Sequence, residues 1–108
     1  MPPSARFHVV LITAPDSTSA RQLARGLLQK RLAACVNVIA GVVSNYRWKG
    51  AIKKNRQSLL IVKTTRRKLA ALICHVKANH PDEVPETIAL DVVAGSSSYL
   101  DWLADSVK

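Results

Sequence analysis

The sequence predicts an α+β domain whose elements run β-α-β-β-α-β, closed by a short helix. Three observations predict it. Four apolar segments rich in β-branched residues alternate with stretches that place leucine at helical spacing. Two of those segments, 35–48 and 51–64, are separated only by Lys49-Gly50, the length of a tight hairpin turn. With 108 residues, 48% of them apolar, the chain can build one core and is too short for two. Residues 1–108 are therefore read as a single domain.

The elements follow in order. "FHVVLITA" (7–14) is a continuous apolar run ending at Pro15, as a central strand requires. The stretch to residue 34 then offers Asp16 or Ser17 as an N-cap, with Leu23, Leu27, Leu28 and Leu32 as one apolar stripe. "CVNVIAGVVSNYRW" (35–48) returns to strand: Val36, Val38, Val42 and Tyr46 follow a period of two, and Gly41 marks a place for a bend. Gly50 supplies the positive φ of the turn before "AIKKNRQSLLIVKT" (51–64). The second helix spans 65–80, capped by Thr64 or Thr65, with Leu69, Leu72, Ile73 and Val76 inward. "PDEVPE" is a loop between prolines, "TIALDVVAG" (87–95) a fourth strand, and "SSSYLDWLADSV" (96–107) a serine-capped helix. This order is the split βαβ, or ferredoxin-like, arrangement.

Charge is distributed unevenly. The net charge is +9, and between Ser17 and Pro81 there are fourteen Lys and Arg and no Asp or Glu. The stretch "NYRWKGAIKKNR" (45–56) alone holds five of these cations. Ordinary surfaces intersperse the two signs. The basic balance points to polyanion adherence that salt would weaken. Specific RNA recognition is not expected, because the central strands offer only Phe7 where the RNA-binding module of this fold order needs stacking aromatics. There is no GxGxxG or GxxxxGK[ST], and Ser96, Ser97 and Ser98 read as a helix cap, so no catalytic residue and no enzyme activity is assigned. Cys35 and Cys74 form no CxxC or Cys/His cluster and read as free thiols of a cytoplasmic protein. No run long enough to span a membrane occurs, and "MPPSARFHVV" lacks signal-peptide organisation.

Six motifs in register carry a resemblance: "TAPD" (13–16), "RLAACVNVI" (31–39), Tyr46-x-Trp48-x-Gly50, "LLIVKTT" (59–65), "HPDEVPE" (80–86) and "YLDWL" (99–103). Together they resemble the CutA family, the divalent-cation tolerance proteins, over about residues 7 to 106. The resemblance implies a tight homotrimer whose hairpin arms pair with neighbouring subunits, Tyr46 and Trp48 packing within the trimer. It also implies copper tolerance, with binding of Cu(II) or another divalent cation, and, among animal relatives, an association with acetylcholinesterase anchoring. Independently, a hairpin with strands this long is an edge that a partner should cover.

Candidate sites follow from the same comparison of patterns. The copper ligands proposed in bacterial relatives are a cysteine before "TAPD" and two consecutive histidines before the proline; here those places hold Ile12 and Asn79-His80. Only His80 carries over as a metal candidate, and a structural role fits it better. Asp82 stands where the family usually has tyrosine, so the aromatic lining that the resemblance implies for an inter-subunit cleft is missing here, and Glu83 and Glu86 read as residues of a solvated loop that hold neighbouring backbone or a neighbouring subunit. Relatives carry acids where this chain has Lys49, Lys53, Lys54 and Arg56, which reads as deliberate positive recharging of a family scaffold. Ala71, Cys74 and Ala78 form a small-residue row on the second helix, read either as helix-forming alanines with one stray thiol or as a contact patch for a second, acidic protein in a heteromeric assembly. A polyanion-binding module, or a signalling domain taking a small ligand in the clefts, is the rival reading.

Overall fold

A computed structural model describes residues 6–108; the start of the chain, read above as lacking a signal peptide, lies mostly outside them. The elements are β1 (Phe7–Ala14), α1 (Ser17–Gln29), β2 (Cys35–Trp48), β3 (Ala51–Thr65), α2 (Arg66–Asn79), β4 (Thr87–Asp91) and α3 (Ser97–Ser106). The four strands form one sheet in the order β2-β3-β1-β4, every neighbouring pair antiparallel. This is the ferredoxin-like arrangement that the element order predicts.

Strand alternation divides the sheet into two unlike faces. On one, Val10, Ile12, Ala14, Leu60 and Val62 pack beneath Ala20, Leu23 and Leu27 of α1 and Leu72 and Val76 of α2, all buried. This is the core, and area removed from water there is its main source of stability. The opposite face carries Val9, Leu11, Ile61 and Leu59, with Ile39, Ile88 and Leu90 alongside, and neither α1 nor α2 covers it. Ile39, Ile88 and Leu90 remain 45%, 52% and 51% exposed. Helix α3 buries Leu103, and Val107 just past its end, away from the main core. Its Tyr99 meets Cys35 at the start of β2, where burial first, and the neighbouring thiol second, push the phenol above its ordinary value.

Several sequence expectations need correction. Helix α1 ends at Gln29, not near residue 34; Arg31 then adopts φ 55° and turns the chain, so Leu32 reaches the core from outside the helix. Leu28 and Ile73, assigned to core stripes, are 43% and 41% exposed, because each helix meets the sheet through a narrower stripe than leucine spacing suggested. Thr65 is the N-cap of α2 by position but makes no side-chain capping bond, whereas Asp16 accepts from Ser19 N–H at 2.7 Å. The fourth strand stops at Asp91 rather than running to residue 95. The expected alternation through Gly41 breaks as well: Ile39 pairs with Leu59 but Val42 with Gln57, leaving one extra residue in β2. Gly41, at φ 75°, takes the left-handed conformation of that bulge. Val36 and Val38 therefore lie on the helix side, and Val42 and Tyr46 on the other.

Candidate functional site: the cleft between the hairpin arm and the 81–86 loop

Beyond the bulge, β2 and β3 continue as a two-stranded arm, with Val42 opposite Gln57 and Trp48 opposite Ala51. Its turn places both Lys49 (φ 49°) and Gly50 (φ 78°) in the left-handed region, the type I′ geometry that follows strand twist. Ser44, Tyr46, Trp48, Asn55 and Gln57 share the side of the arm continuous with the uncovered sheet face. Opposite them, α2 ends at Asn79 and the 81–86 loop leads into β4. Between arm and loop lies an open cleft of about 820 Å³, bordered by those arm residues, by Asn45 and Arg56 beside them, and by Thr13, Asp82, Glu83 and Glu86.

His80 anchors the loop. Its Nδ1 accepts from the Asp82 N–H at 3.0 Å, so the other nitrogen carries the proton and donates from Nε2 to the Thr13 carbonyl at 2.7 Å. The imidazole is fully buried, and both nitrogens are engaged, so neither offers a lone pair to a metal ion. Asp82 Oδ2 stands 3.9 Å from Nδ1 as a more distant neighbour. Among the described residues, no three His, Cys, Asp or Glu side chains converge as a metal cluster. Glu83 reaches across to Lys49 at the arm tip, 3.9 Å apart and both solvated, a pairing that contributes at most a fraction of 1 kcal/mol. Tyr46 Oη accepts a hydrogen bond from Asn55 Nδ2, and Lys49 Nζ lies 5.6 Å from the Trp48 ring centre.

The residues singled out in the sequence thus divide into two groups. Tyr46, Trp48, Glu83 and Glu86 meet around the cleft, with His80 behind it. Ala71, Cys74 and Ala78 are exposed on α2 and take no part in it. Sequence reasoning passed over Thr13, Ser44, Asn55 and Gln57. The pairing of Tyr46 with Lys53 fixes which arm residues share its side, but the bulge that breaks the alternation of β2 is visible in the sequence only as a glycine.

The family of CutA1 divalent ion tolerance proteins matches residues 8–106 of the chain. The Divalent-cation tolerance protein CutA of Thermus thermophilus is 47% identical over 99 residues, covering 92% of this chain and 96% of that protein. The chloroplastic protein CutA of Arabidopsis thaliana is 43% identical over 93% of this chain, which spans 55% of that longer protein. Among solved structures, the Thermus thermophilus divalent cation tolerance protein superposes with a TM-score of 0.92 at 45% identity, covering 94% of this chain and 99% of the other. CutA1 from Oryza sativa gives 0.93 at 41% identity, covering 97% and 96%. The motifs, the strand order and the arm place this chain in the CutA1 divalent ion tolerance family.

Proposed function

We propose that the chain acts as a homotrimer in divalent-cation tolerance, with its cation contacts made by carboxylates of the 81–86 loop and not by His80. The observation that carries this reading is the uncovered apolar sheet face. A soluble monomer rarely leaves so continuous an apolar surface open, and copies of the chain with their arms interleaved would close it. Such contacts also bring the 81–86 loop near a neighbour's arm, where Glu83 and Glu86 of one chain could meet groups of another.

With the imidazole engaged, the cleft offers carboxylate and amide oxygens. These are hard donors that hold Cu(II) or another divalent cation weakly compared with imidazole or thiolate sites. The role is one of binding and not of catalysis, and two free thiols accord with the reducing cytoplasm. A second reading rests on the exposure of Ala71, Cys74 and Ala78: a flat helix surface for an acidic protein, with the trimer as a cationic scaffold in a larger assembly.

Native mass spectrometry with and without Cu(II), at moderate ionic strength, tests the main reading. The expected result is a trimer that takes up copper reversibly, with uptake reduced by Glu83→Gln and Glu86→Gln together. A monomer overturns the assembly, and tight copper uptake abolished by His80→Gln overturns the carboxylate assignment.

A further inference from the structure

A second cleft lies at the far end of β3 from the arm, where Arg6 leads into β1, α2 begins and α3 ends. It holds about 670 Å³ and shares no residue with the first cleft or with the hairpin arm. The start of α2 is fixed there, because the Arg66 N–H donates to the Arg6 carbonyl at 2.8 Å. The next two N–H groups, of Arg67 and Lys68, fall in the first turn, where a helix supplies no acceptor of its own. No acidic residue stands in that turn, and Thr65, the N-cap, makes no side-chain bond to it. Thr65 is nonetheless only 9% exposed and borders the cleft, so its hydroxyl is a nearly buried donor without a partner among the described residues. A hydroxyl in that position costs stability unless a ligand or water meets it.

The charges around this hydroxyl are one-sided. Arg6, Arg66, Arg67, Lys68 and Lys108 border the cleft against Asp101 and Asp105, five cations to two acids. Lys108 already donates to Asp105 at 2.8 Å, and the other four cations have no carboxylate within 4 Å among the described residues. Lys68 among them is half-buried. Cations in the first turn oppose the helix dipole, so Arg66, Arg67 and Lys68 are unfavourably placed until an anion joins them. Such an anion meets the Thr65 hydroxyl, two backbone N–H groups and the side-chain charges together. No aromatic residue borders the cleft, so a nucleic-acid base finds nothing to stack on. A compact, doubly charged oxyanion matches this set of donors.

We infer that this cleft binds a phosphate dianion, free or as the monoester of a small molecule, at the start of α2. The Thr65 hydroxyl and the Arg67 and Lys68 N–H groups donate to its oxygens, and the Arg66, Arg67 and Lys68 side chains balance its charge. The site uses neither the uncovered sheet face nor the 81–86 loop, so it works independently of any cation bound there.

The test is amide NMR of the isotope-labelled full chain, titrated with inorganic phosphate and separately with glycerol 3-phosphate at fixed ionic strength. At about pH 8 both are mainly dianions. The expected result is saturable shifts at the Thr65, Arg67 and Lys68 amides below about 10 mM ligand. Thr65→Val, which keeps the shape and loses the hydroxyl, should weaken binding about tenfold, whereas Thr65→Ser should hold it within about threefold. Arg66→Gln with Arg67→Gln should also weaken it about tenfold. Lys53→Gln with Lys54→Gln, removing two charges from the arm, should change it less than about twofold. Amides outside the cleft that keep their positions show that each variant retains the fold. Tighter binding of glycerol 3-phosphate supports the site with an organic phosphate as its ligand; tighter binding of inorganic phosphate supports it with the free ion. No saturation at those amides, equal saturation by acetate, or equal weakening by the arm control would overturn the proposal.

Discussion

At His80 the ring nitrogens hold two backbone groups, the Thr13 carbonyl and the Asp82 N–H, that would otherwise lie poorly satisfied beneath the loop. His80→Ala should therefore lower stability by about 2–3 kcal/mol in urea unfolding at fixed protein concentration, the cost of leaving buried partners unmet. Copper uptake should not change in the same variant. Asp16 acts differently, through charge at a helix start. Its carboxylate lies below the usual range because it accepts first from the Ser19 backbone and then from the Ser19 side chain. A carboxylate lowered in the folded state stabilises above its unfolded value of about 4, and that contribution is lost as pH falls through the lower folded value. Asp16→Asn keeps the cap but removes the proton, so this part of the acid sensitivity should vanish from denaturant midpoints measured between about pH 6 and 2. Residue identity made the Asp16 cap legible in advance. It did not reveal that Leu28 and Ile73 face solvent, since spacing shows which residues share a stripe but not where the stripe meets the sheet.

Among the elements, the hairpin arm is the one whose turns are set by backbone conformation more than by contacts. Gly41 and Gly50 both have positive φ, and a Cβ built on either meets nothing within 4 Å. Gly41→Ala should then cost about 1–2 kcal/mol through backbone strain alone, read as a lower thermal midpoint without loss of the fold. Lys49 already bears such strain at φ 49°. Lys49→Asn, a residue suited to the first position of a type I′ turn, should raise stability by about 1 kcal/mol in the same assay while ending the Lys49–Glu83 contact. Gly26 has the opposite reason for its size: a Cβ there would lie 2.9 Å from His75 Nε2 where α1 passes α2. Strands and helices were readable because apolar period and turn residues are local signals. The end of α1 at Gln29 and the end of β4 at Asp91 were not, because a tertiary turn through Arg31 and the limit of pairing with β1 decide them.

For the whole molecule, the central quantity is the apolar face that the helices leave open. Leu90→Glu places a charge on that face, on the edge strand β4 beside Val9. The trimer expected in native mass spectrometry should dissociate to monomer, since an unpaired carboxylate cannot be covered by an apolar neighbour. An unchanged trimer would mean that copies meet elsewhere. Strand order was legible because few arrangements satisfy this element sequence. The cleft was only half legible, because Thr13, Tyr46, Asn55 and Glu83 come from four separate stretches of chain that only the folded register brings together. That register is held from the turn end of the arm, where Trp48 pairs with Ala51. It puts Ser44, Tyr46 and Trp48 toward the cleft and Arg47 toward solvent. Removing Ala40 would close the bulge and leave Val42 opposite Gln57 and Trp48 opposite Ala51, because the Lys49-Gly50 turn and the unbroken β3 still fix every pairing of the arm. The facing of the arm is thus stored in its turn and in β3, and what the extra residue alone supplies is the added local twist and bend with which the arm leaves the sheet.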